Sequence, residues 1–193
     1  MAGLATTFGS GAQTNNIKDF INAACIMAVG TNTTAAHPVI GFKVMQAVKN
    51  GTRLIVINPR EIPLCRYADI WLRLNPGTDV ALIMGMIRII LEEGLEDEAF
   101  IRERCENFDE LKESLKDFPL SRVEEITGVP ADQIVRAARL YATSKPAAIL
   151  YTLGITEHTH GTDGVMSLAN LALATGNIGK PGSGVNPLRG QNN

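Results

Sequence analysis

Short apolar runs that stop at turn residues constrain this fold most. Three such runs are Cys25 to Val29, Arg53 to Ile57 and Ala147 to Leu153. The second run begins with Arg53 and is apolar from the next residue on. Runs of this length without polar alternation are typical of strands covered on both faces, as in a parallel sheet. Apolar residues at helical spacing from His37 to Asn50 separate the first two runs. The sequence therefore predicts a right-handed βαβ unit.

Further elements extend this pattern into a complete α/β domain. We predict a third strand at Ile70 to Leu74. Single helices are predicted at Ile17 to Ala24, Asp79 to Glu93 and Val165 to Ala174, and three or four further helices between Asp97 and Lys145. The opening through Asn16 and the glycine-rich tail 176–193 lack periodicity, so we expect both to be irregular. The prediction is one Rossmann-like, three-layer α/β domain over 1–193, with a mostly parallel sheet, helices on both faces, and a tail that leads into a next domain.

Composition excludes several classes of protein. The 193 residues, 45% hydrophobic and 20% charged, suffice for a core without help from disulfides. Eighteen basic and twenty acidic residues give a net charge of −2, which argues against a nucleic-acid partner. The most apolar run, Ala81 to Leu91, is far shorter than the roughly twenty residues of a membrane span. We expect a buried helix there and no membrane contact.

Metal-binding residues are sparse in this sequence. Cys25, Cys65 and Cys105 form no CxxC pair, and the three histidines have no helical metal-ligand spacing. We therefore predict no metal ligand in this chain and interpret the cysteines as buried or incidental thiols of a reducing compartment. The first seven residues carry no signal-peptide pattern, which favours a cytoplasmic location.

Polar segments follow the predicted strands. They are Gly30 to Thr34, Asn58 to Arg60, Asn75 to Asp79 and Gly154 to Glu157. Ligands of open parallel sheets bind beyond the carboxyl ends of the strands, so these segments form the candidate site. Gly30 and the amides and hydroxyls after it suit a phosphate, although an ordinary strand–helix turn explains the loop equally well. The G-x-G-x-x-G motif is missing, which disfavours a plain NAD site.

Two of these segments carry side chains that suit a nucleotide. Asn58 and Arg60 lie where a side chain commonly meets a ribose hydroxyl, or else they form a solvated turn. Asp79 fits the start of a helix as a capping or first-turn acid. Its carboxylate can also accept two parallel hydrogen bonds from the N1–H and amino group of guanine, an edge that adenine does not offer.

A series of motifs runs in order through the whole chain. It comprises Ala2-Gly3-Leu4, Gly9 to Ala12, Thr14-Asn15, Gly30-Thr31-Asn32, Ala36-His37-Pro38, Ile57 to Arg60, Pro76 to Asp79, Ala147 to Leu150, Gly154-Ile155-Thr156, Thr175 to Gly179 and Asn186 to Asn193. Together these motifs resemble the molybdopterin oxidoreductase family, and the last block resembles the catalytic subunit of its formate dehydrogenases. A relative that acts on nitrate shares the early motifs but not the block 189–193. A stand-alone nucleotide-binding regulatory module is the other alternative.

The resemblance implies a role for each matching position. The domain would bind one half of a molybdopterin guanine dinucleotide (bis-MGD) cofactor that carries molybdenum or tungsten. The pyrophosphate would be held by Gly30, Asn32 and the backbone through Ala35. The ribose and phosphate would meet Asn58, Pro59 and Arg60. The guanine end would meet Pro76, Gly77 and Asp79. The rest of the cofactor would contact Gly154, Thr156, Glu157 and, near the pterin, Gln191. Arg189 would be catalytic, beside the metal, where a guanidinium can orient formate through two hydrogen bonds.

The same resemblance implies a larger parent subunit. The Cys or selenocysteine that holds the metal and an iron–sulfur cluster would both lie outside this chain, so the chain alone is expected to be inactive. The parent would oxidise formate to carbon dioxide and pass electrons to further subunits. Export of the parent through an upstream leader is compatible with this sequence. Asn58 departs from the family pattern, since relatives often carry Asp there.

Overall fold

A computed structural model of the chain describes residues 1–189 and centres on one five-stranded sheet. The strands are β1 (Cys25–Val29), β2 (Arg53–Ile57), β3 (Ile70–Leu72), β4 (Ala147–Tyr151) and β5 (Gly184–Pro187). Their spatial order is β3-β2-β1-β4-β5, and every pairing is parallel. The predicted α/β fold and its buried strands are confirmed, although the third strand stops at Leu72.

Helices connect these strands. They are α1 (Ala2–Phe8), α2 (Thr33–Ala36), α3 (Pro38–Lys49), α4 (Asp79–Glu92), α5 (Glu98–Arg104), α6 (Phe108–Ser114), α7 (Leu120–Thr127), α8 (Ala131–Thr143), α9 (Leu153–Thr156) and α10 (Gly161–Ala174). Short 3₁₀ helices cover Ile17–Asn22, Pro63–Tyr67 and Leu115–Asp117. The predicted series of helices between β3 and β4 is confirmed. Among residues 1–189, no helix combines the length and apolarity needed to cross a bilayer.

The sheet lies between two apolar cores. Within β1, Met27 faces the larger core beneath α1, α4, α8 and α10, whereas Ile26 faces the smaller core beneath α3 and the 3₁₀ helices. Successive side chains of a strand point to opposite faces, so both faces must be apolar, as the continuous run in β1 indicates. The predicted three-layer arrangement is confirmed.

The chain order creates a topological switch point beside β1. From β1 the chain passes through α3 to β2 and β3 on one side, and it then returns through α4 to α8 to place β4 on the other side. The register pairs Val29 with Ile57 and with Tyr151, so three strands end at the same level. Loops that leave β1 and β4 therefore diverge to opposite faces, which opens a crevice at the carboxyl edge.

The sequence predicted an irregular opening segment through Asn16, and the structure corrects this prediction in part. Residues Ala2–Phe8 form α1, in which Leu4 is fully buried against the larger core. Gly3 permits this packing, since a Cβ there would lie 2.7 Å from the Thr162 carbonyl oxygen on α10. A helix of two turns is marginal by propensity, so tertiary packing stabilises it. That contact leaves no local signal in the sequence.

The prediction of an irregular tail is corrected in the same way. Residues Gly184–Pro187 form β5 on the edge of the sheet. The outer edge of β5 is satisfied by the opening segment: the Val185 amide donates to the Thr14 hydroxyl over 2.9 Å, and the Asn15 amide donates to Asn186 Oδ1 over 3.2 Å. Glycine and proline disfavour strands except at edges and strand ends, which is where this sequence places them.

Candidate functional site at the strand carboxyl ends

Two glycines form the floor of the crevice between β1 and β4. Gly30 follows β1 with φ 54°, and a Cβ on it would lie 2.7 Å from the Gly154 carbonyl carbon. The Gly154 amide donates to the Gly30 carbonyl oxygen over 3.1 Å, and the Gly30 amide donates to Ile57 over 2.9 Å. The loops after β1, β2 and β4 are thus joined through backbone alone. The close approach of the two backbones requires glycine at both positions, and the bare backbone that results also allows a ligand to approach closely.

The loop after β1 leads directly into α2 and contains unpaired buried hydroxyls. Thr31 and Thr33 are 2% and 0% exposed, and neither hydroxyl has a hydrogen-bond partner among residues 1–189. Asn32 and Ala35 are exposed, and the Thr34 hydroxyl donates to Asn32 Oδ1 over 3.1 Å. Buried hydroxyls are nearly always satisfied, so the two orphaned ones point to an acceptor or donor supplied from outside residues 1–189.

The segment after β2 has a structural role that the sequence only partly indicated. Asn58 is buried, its Oδ1 accepts from the Arg60 amide over 3.0 Å, and its carbonyl oxygen accepts from Trp71 Nε1 over 2.9 Å. These bonds form a turn that holds Pro59 half-buried and leaves Arg60 exposed at the crevice edge. The turn and the ribose interpretation are therefore compatible.

Asp79 begins α4 and is only 8% exposed. Thr78 occupies the N-cap position, so the capping interpretation of Asp79 is wrong and the first-turn interpretation is confirmed. Burial raises the pKa of the Asp79 carboxyl, while its own backbone amide and the nearby His158 oppose that rise. The exposed turn at Pro76 and Gly77, the latter at φ 82°, leads into this position. A carboxylate desolvated at this edge is suited to a ligand that donates hydrogen bonds.

The segment after β4 closes the crevice opposite Asp79. His158 Nε2 lies 2.9 Å from the Gly154 carbonyl oxygen, and a small depression is lined by Gly77, Asp79, Ile155, His158 and Gly164. Thr156 is half-buried and Glu157 is exposed. Sequence analysis did not single out His158, although its place four residues after Gly154 is a signal that was available. The structure thus brings Asp79 and Gly154 to one place.

Arg189 lies at the same edge, beyond β5. Its Nη2 donates to the Gly11 carbonyl oxygen over 2.8 Å, and the adjacent Leu188 amide donates to the Tyr151 carbonyl oxygen over 2.9 Å. The Arg189 charge lowers the pKa of Tyr151, but burial dominates and raises it to about 12. Tyr151 lies at this edge beside Arg189, and the sequence analysis did not single it out. The predicted pterin contact Gln191 lies outside the described residues.

A large groove lies elsewhere on the described surface and is not the candidate site. It is a groove of about 1270 Å³ between α1, α5, α6 and the carboxyl end of α10, bordered by Lys180 before β5. None of the candidate residues lines it. Ligands of open α/β sheets bind at the switch point, so we assign the site to the shallower crevice.

Residues 1–189 contain no cluster of three or more His, Cys, Asp or Glu that could hold a metal. Within this range Cys25 is buried, and Cys65 and Cys105 are half-buried free thiols. Burial raises the pKa of the Cys25 thiol to about 12, with Asp69 adding to the rise and Arg53 opposing it. Such a thiol is inert toward metals and electrophiles.

Comparison with known proteins identifies the family to which this chain belongs. A family model described as molybdopterin oxidoreductase matches residues 2–193. The chain is 47% identical over 193 residues to the alpha subunit of F420-dependent formate dehydrogenase 2 of Methanococcus maripaludis, and 42% identical to formate dehydrogenase H of Escherichia coli. Both alignments cover 100% of this chain but only 29% and 27%, respectively, of those relatives. Acetylene hydratase from Pelobacter acetylenicus superposes with a TM-score of 0.84 at 34% identity, over 91% of this chain and 24% of that one.

Proposed function

Since this chain belongs to the molybdopterin oxidoreductase family, we propose that it forms the part of a formate dehydrogenase subunit that binds one guanine dinucleotide half of a bis-MGD cofactor. The chain spans less than a third of the length of the formate dehydrogenases to which it is similar. The remaining domains of the same subunit, the metal ligand and an iron–sulfur cluster are assigned to the rest of the parent protein.

The residues present fit a dinucleotide. The bare backbone at Gly30 and Gly154 leaves room for a diphosphate, and the orphaned hydroxyls of Thr31 and Thr33 lie in the loop that would surround it. Helix and loop amides beyond a strand are the usual diphosphate donors. Gly30, Asn32 and Ala35 would contact the diphosphate through backbone.

The nucleoside end would extend along the neighbouring loops. Arg60, exposed beside Asn58 and Pro59, would contact ribose or phosphate. Asp79 would accept two hydrogen bonds from the guanine edge, and Thr156 and Glu157 would line the opposite wall. The buried Asp79 carboxylate is the observation that carries the guanine assignment, because it has no ion pair in the described part of the chain and needs a donor.

When bound, the cofactor supplies the molybdenum or tungsten and the pterin that accept two electrons from formate. The contribution of this chain to that chemistry is Arg189, whose guanidinium is suited to hold a carboxylate through two charge-assisted hydrogen bonds. Gln191 would contact the pterin. The electrons would pass to iron–sulfur centres and to electron-transfer subunits. We place the parent in the cytoplasm.

Calorimetric titration of the cofactor-free, full-length protein with GDP and ADP tests the nucleotide assignment. We expect a preference for GDP that Asp79→Asn abolishes, since an amide cannot accept both guanine hydrogen bonds. Glu98→Gln is the matched control, because Glu98 is also a first-turn acid, on α5, but is exposed and outside the crevice. Equal affinity of the unmodified protein for GDP and ADP contradicts the assignment of Asp79.

The similarity to acetylene hydratase shows that this fold occurs in an enzyme named for another reaction. The formate assignment therefore rests on the relatives that are 42% to 47% identical. A full-length protein that reduces a dye with formate supports it, and one that binds GDP but leaves formate unchanged contradicts it.

A further inference from the structure

Tyr151 ends β4 with a buried hydroxyl that makes no hydrogen bond of good geometry within residues 1–189, although the Arg189 guanidinium lies close enough to lower its pKa. The residue is 2% exposed, and its hydroxyl has no hydrogen-bond partner among residues 1–189. A buried hydroxyl without a partner is disfavoured in a folded protein, so a residue that retains one at a ligand-binding edge calls for a physical explanation.

Arg189 is the charged side chain that faces Tyr151. β4 pairs with β5 so that Tyr151 lies opposite Pro187, and Val185 and Tyr151 belong to the same core. Beyond the end of β5, the Leu188 amide donates to the Tyr151 carbonyl oxygen over 2.9 Å, which places the next residue, Arg189, beside Tyr151. The two side chains therefore meet above the end of the sheet, where the Arg189 charge lowers the pKa of the phenol.

Within residues 1–189, a backbone carbonyl holds the guanidinium on one side. Arg189 Nη2 donates to the Gly11 carbonyl oxygen over 2.8 Å, in the segment that follows α1. A guanidinium has five N–H donors in a rigid plane, and an anion bound in bidentate fashion uses two of them. A second fixed acceptor would leave one edge of the plane facing the crevice in a single orientation.

We propose that Tyr151 is a positioning residue for Arg189, with the phenol oxygen and the Gly11 carbonyl together orienting the guanidinium toward a small carboxylate such as formate. This inference deepens the proposed function and rests on it for the identity of the anion. It assigns the orphaned hydroxyl its partner, and it makes the pairing of β4 with β5 a determinant of the geometry of the site.

The protonation state of the phenol suits this role. Burial raises the pKa of Tyr151 to about 12, even though Arg189 opposes the rise. The hydroxyl therefore stays neutral at every working pH, and the positive charge of Arg189 remains available to an incoming anion. A phenolate in the same place would neutralise that charge.

The test compares Tyr151→Phe with Tyr141→Phe in the full-length protein. Tyr141 on α8 also has a fully buried hydroxyl without a partner among residues 1–189, but it lies near Cys25 at the amino end of β1. Butanedione modifies accessible arginines, and mass spectrometry gives the rate at Arg189. We expect about a fivefold faster modification in Tyr151→Phe, as for the loss of one hydrogen bond, and an unchanged rate in Tyr141→Phe. An unchanged rate in Tyr151→Phe, or the same rise in both variants, overturns the proposal.

Kinetics with formate provide a second readout. We expect Tyr151→Phe to raise KM about fivefold with little change in kcat, and to have no further effect in an Arg189→Ala background. Additive effects of the two substitutions overturn the positioning role. If the full-length protein does not oxidise formate, the proposed function fails while the butanedione experiment still decides whether Tyr151 positions Arg189.

Discussion

The amide of Gly154 donates a hydrogen bond to the carbonyl oxygen of Gly30 over 3.1 Å, which joins the loops that leave two neighbouring strands. The same carbonyl accepts the hydroxyl of Thr152 over 2.7 Å. Because neither glycine has room for a Cβ, the floor of the crevice is backbone, and a ligand can approach it more closely than it could approach side chains. The contact is therefore both structural and suited to binding.

Gly30→Ala tests this contact. The added Cβ would meet the backbone of Gly154, which cannot move aside, and the φ of 54° is unfavourable for alanine. Gly94→Ala is the matched control, with φ 64° and nothing within 4 Å. Both variants should lose about 1–2 kcal/mol from the unfavourable φ, and Gly30→Ala about 1–3 kcal/mol more from overpacking. Urea unfolding measures the free energy of unfolding of both variants. Equal losses of stability in Gly30→Ala and Gly94→Ala would mean that the two loops separate at little cost and would contradict a tight contact.

Asp79→Asn should stabilise the cofactor-free protein at neutral pH. Burial raises the carboxyl pKa above its ordinary value of 3.8, so the folded state holds its proton more tightly than the unfolded state. Stability from this group is therefore present below the unfolded pKa and is lost as the pH rises through the folded pKa. Urea unfolding between pH 4 and 7 should show the wild type falling relative to Asp79→Asn. A constant difference across this range would mean that the group is not desolvated.

Guanine binding should move in the opposite direction to stability in the same variant. Asp79→Asn would be more stable yet bind GDP less tightly, which is the trade-off expected of a polar group retained for binding. A packing role would instead change both quantities together.

The strands were predictable and the edge of the sheet was not. β1, β2 and β4 are apolar runs with both faces buried, and that pattern is local. β5 is hidden by Gly184 and Pro187, and it exists because Thr14, 171 residues away from Val185, satisfies its outer edge. A contact at that separation leaves no periodic signal.

The candidate site also contains residues that could be predicted from the sequence and residues that could not. Loop positions such as Gly30, Asn58 and Gly154 follow predicted strands, so their shared edge could be derived from parallel topology. The meeting of Tyr151 with Arg189 depends on the pairing of β4 with β5, which the sequence did not predict. The missed residue is therefore the one that depends on the missed strand.

Arg189→Ala should leave the metal content of the full-length enzyme nearly normal and reduce formate turnover strongly. The guanidinium lies at the crevice edge and makes its one hydrogen bond within residues 1–189 to a backbone carbonyl, so its removal should not disturb the fold. Metal analysis and steady-state kinetics on the same preparation separate the two quantities. Kinetics like those of the wild type would contradict the role of Arg189.

Cys25 should resist alkylation in the native protein. Burial raises its thiol pKa to about 12, so almost no thiolate is present at pH 8, whereas Cys105 is half-buried. Peptide mass spectrometry after iodoacetamide treatment should find Cys105 modified and Cys25 unmodified, and both should react in urea. Fast native modification of Cys25 would mean that β1 opens at its amino end.

Thr14→Val should loosen β5 and, through it, Arg189. The Thr14 hydroxyl accepts from the Val185 amide over 2.9 Å, and its loss leaves that amide without this partner at a cost of about 1–3 kcal/mol. Thr7→Val is the control, because the Thr7 hydroxyl donates to the Gly3 carbonyl oxygen within α1 and makes no hydrogen bond to β5 in the described residues. Hydrogen exchange at Val185 should accelerate in Thr14→Val alone, and the formate KM should rise with it because Arg189 follows the end of β5 by two residues. Faster exchange without a change in KM would show that the Gly11 carbonyl holds Arg189 independently of the strand.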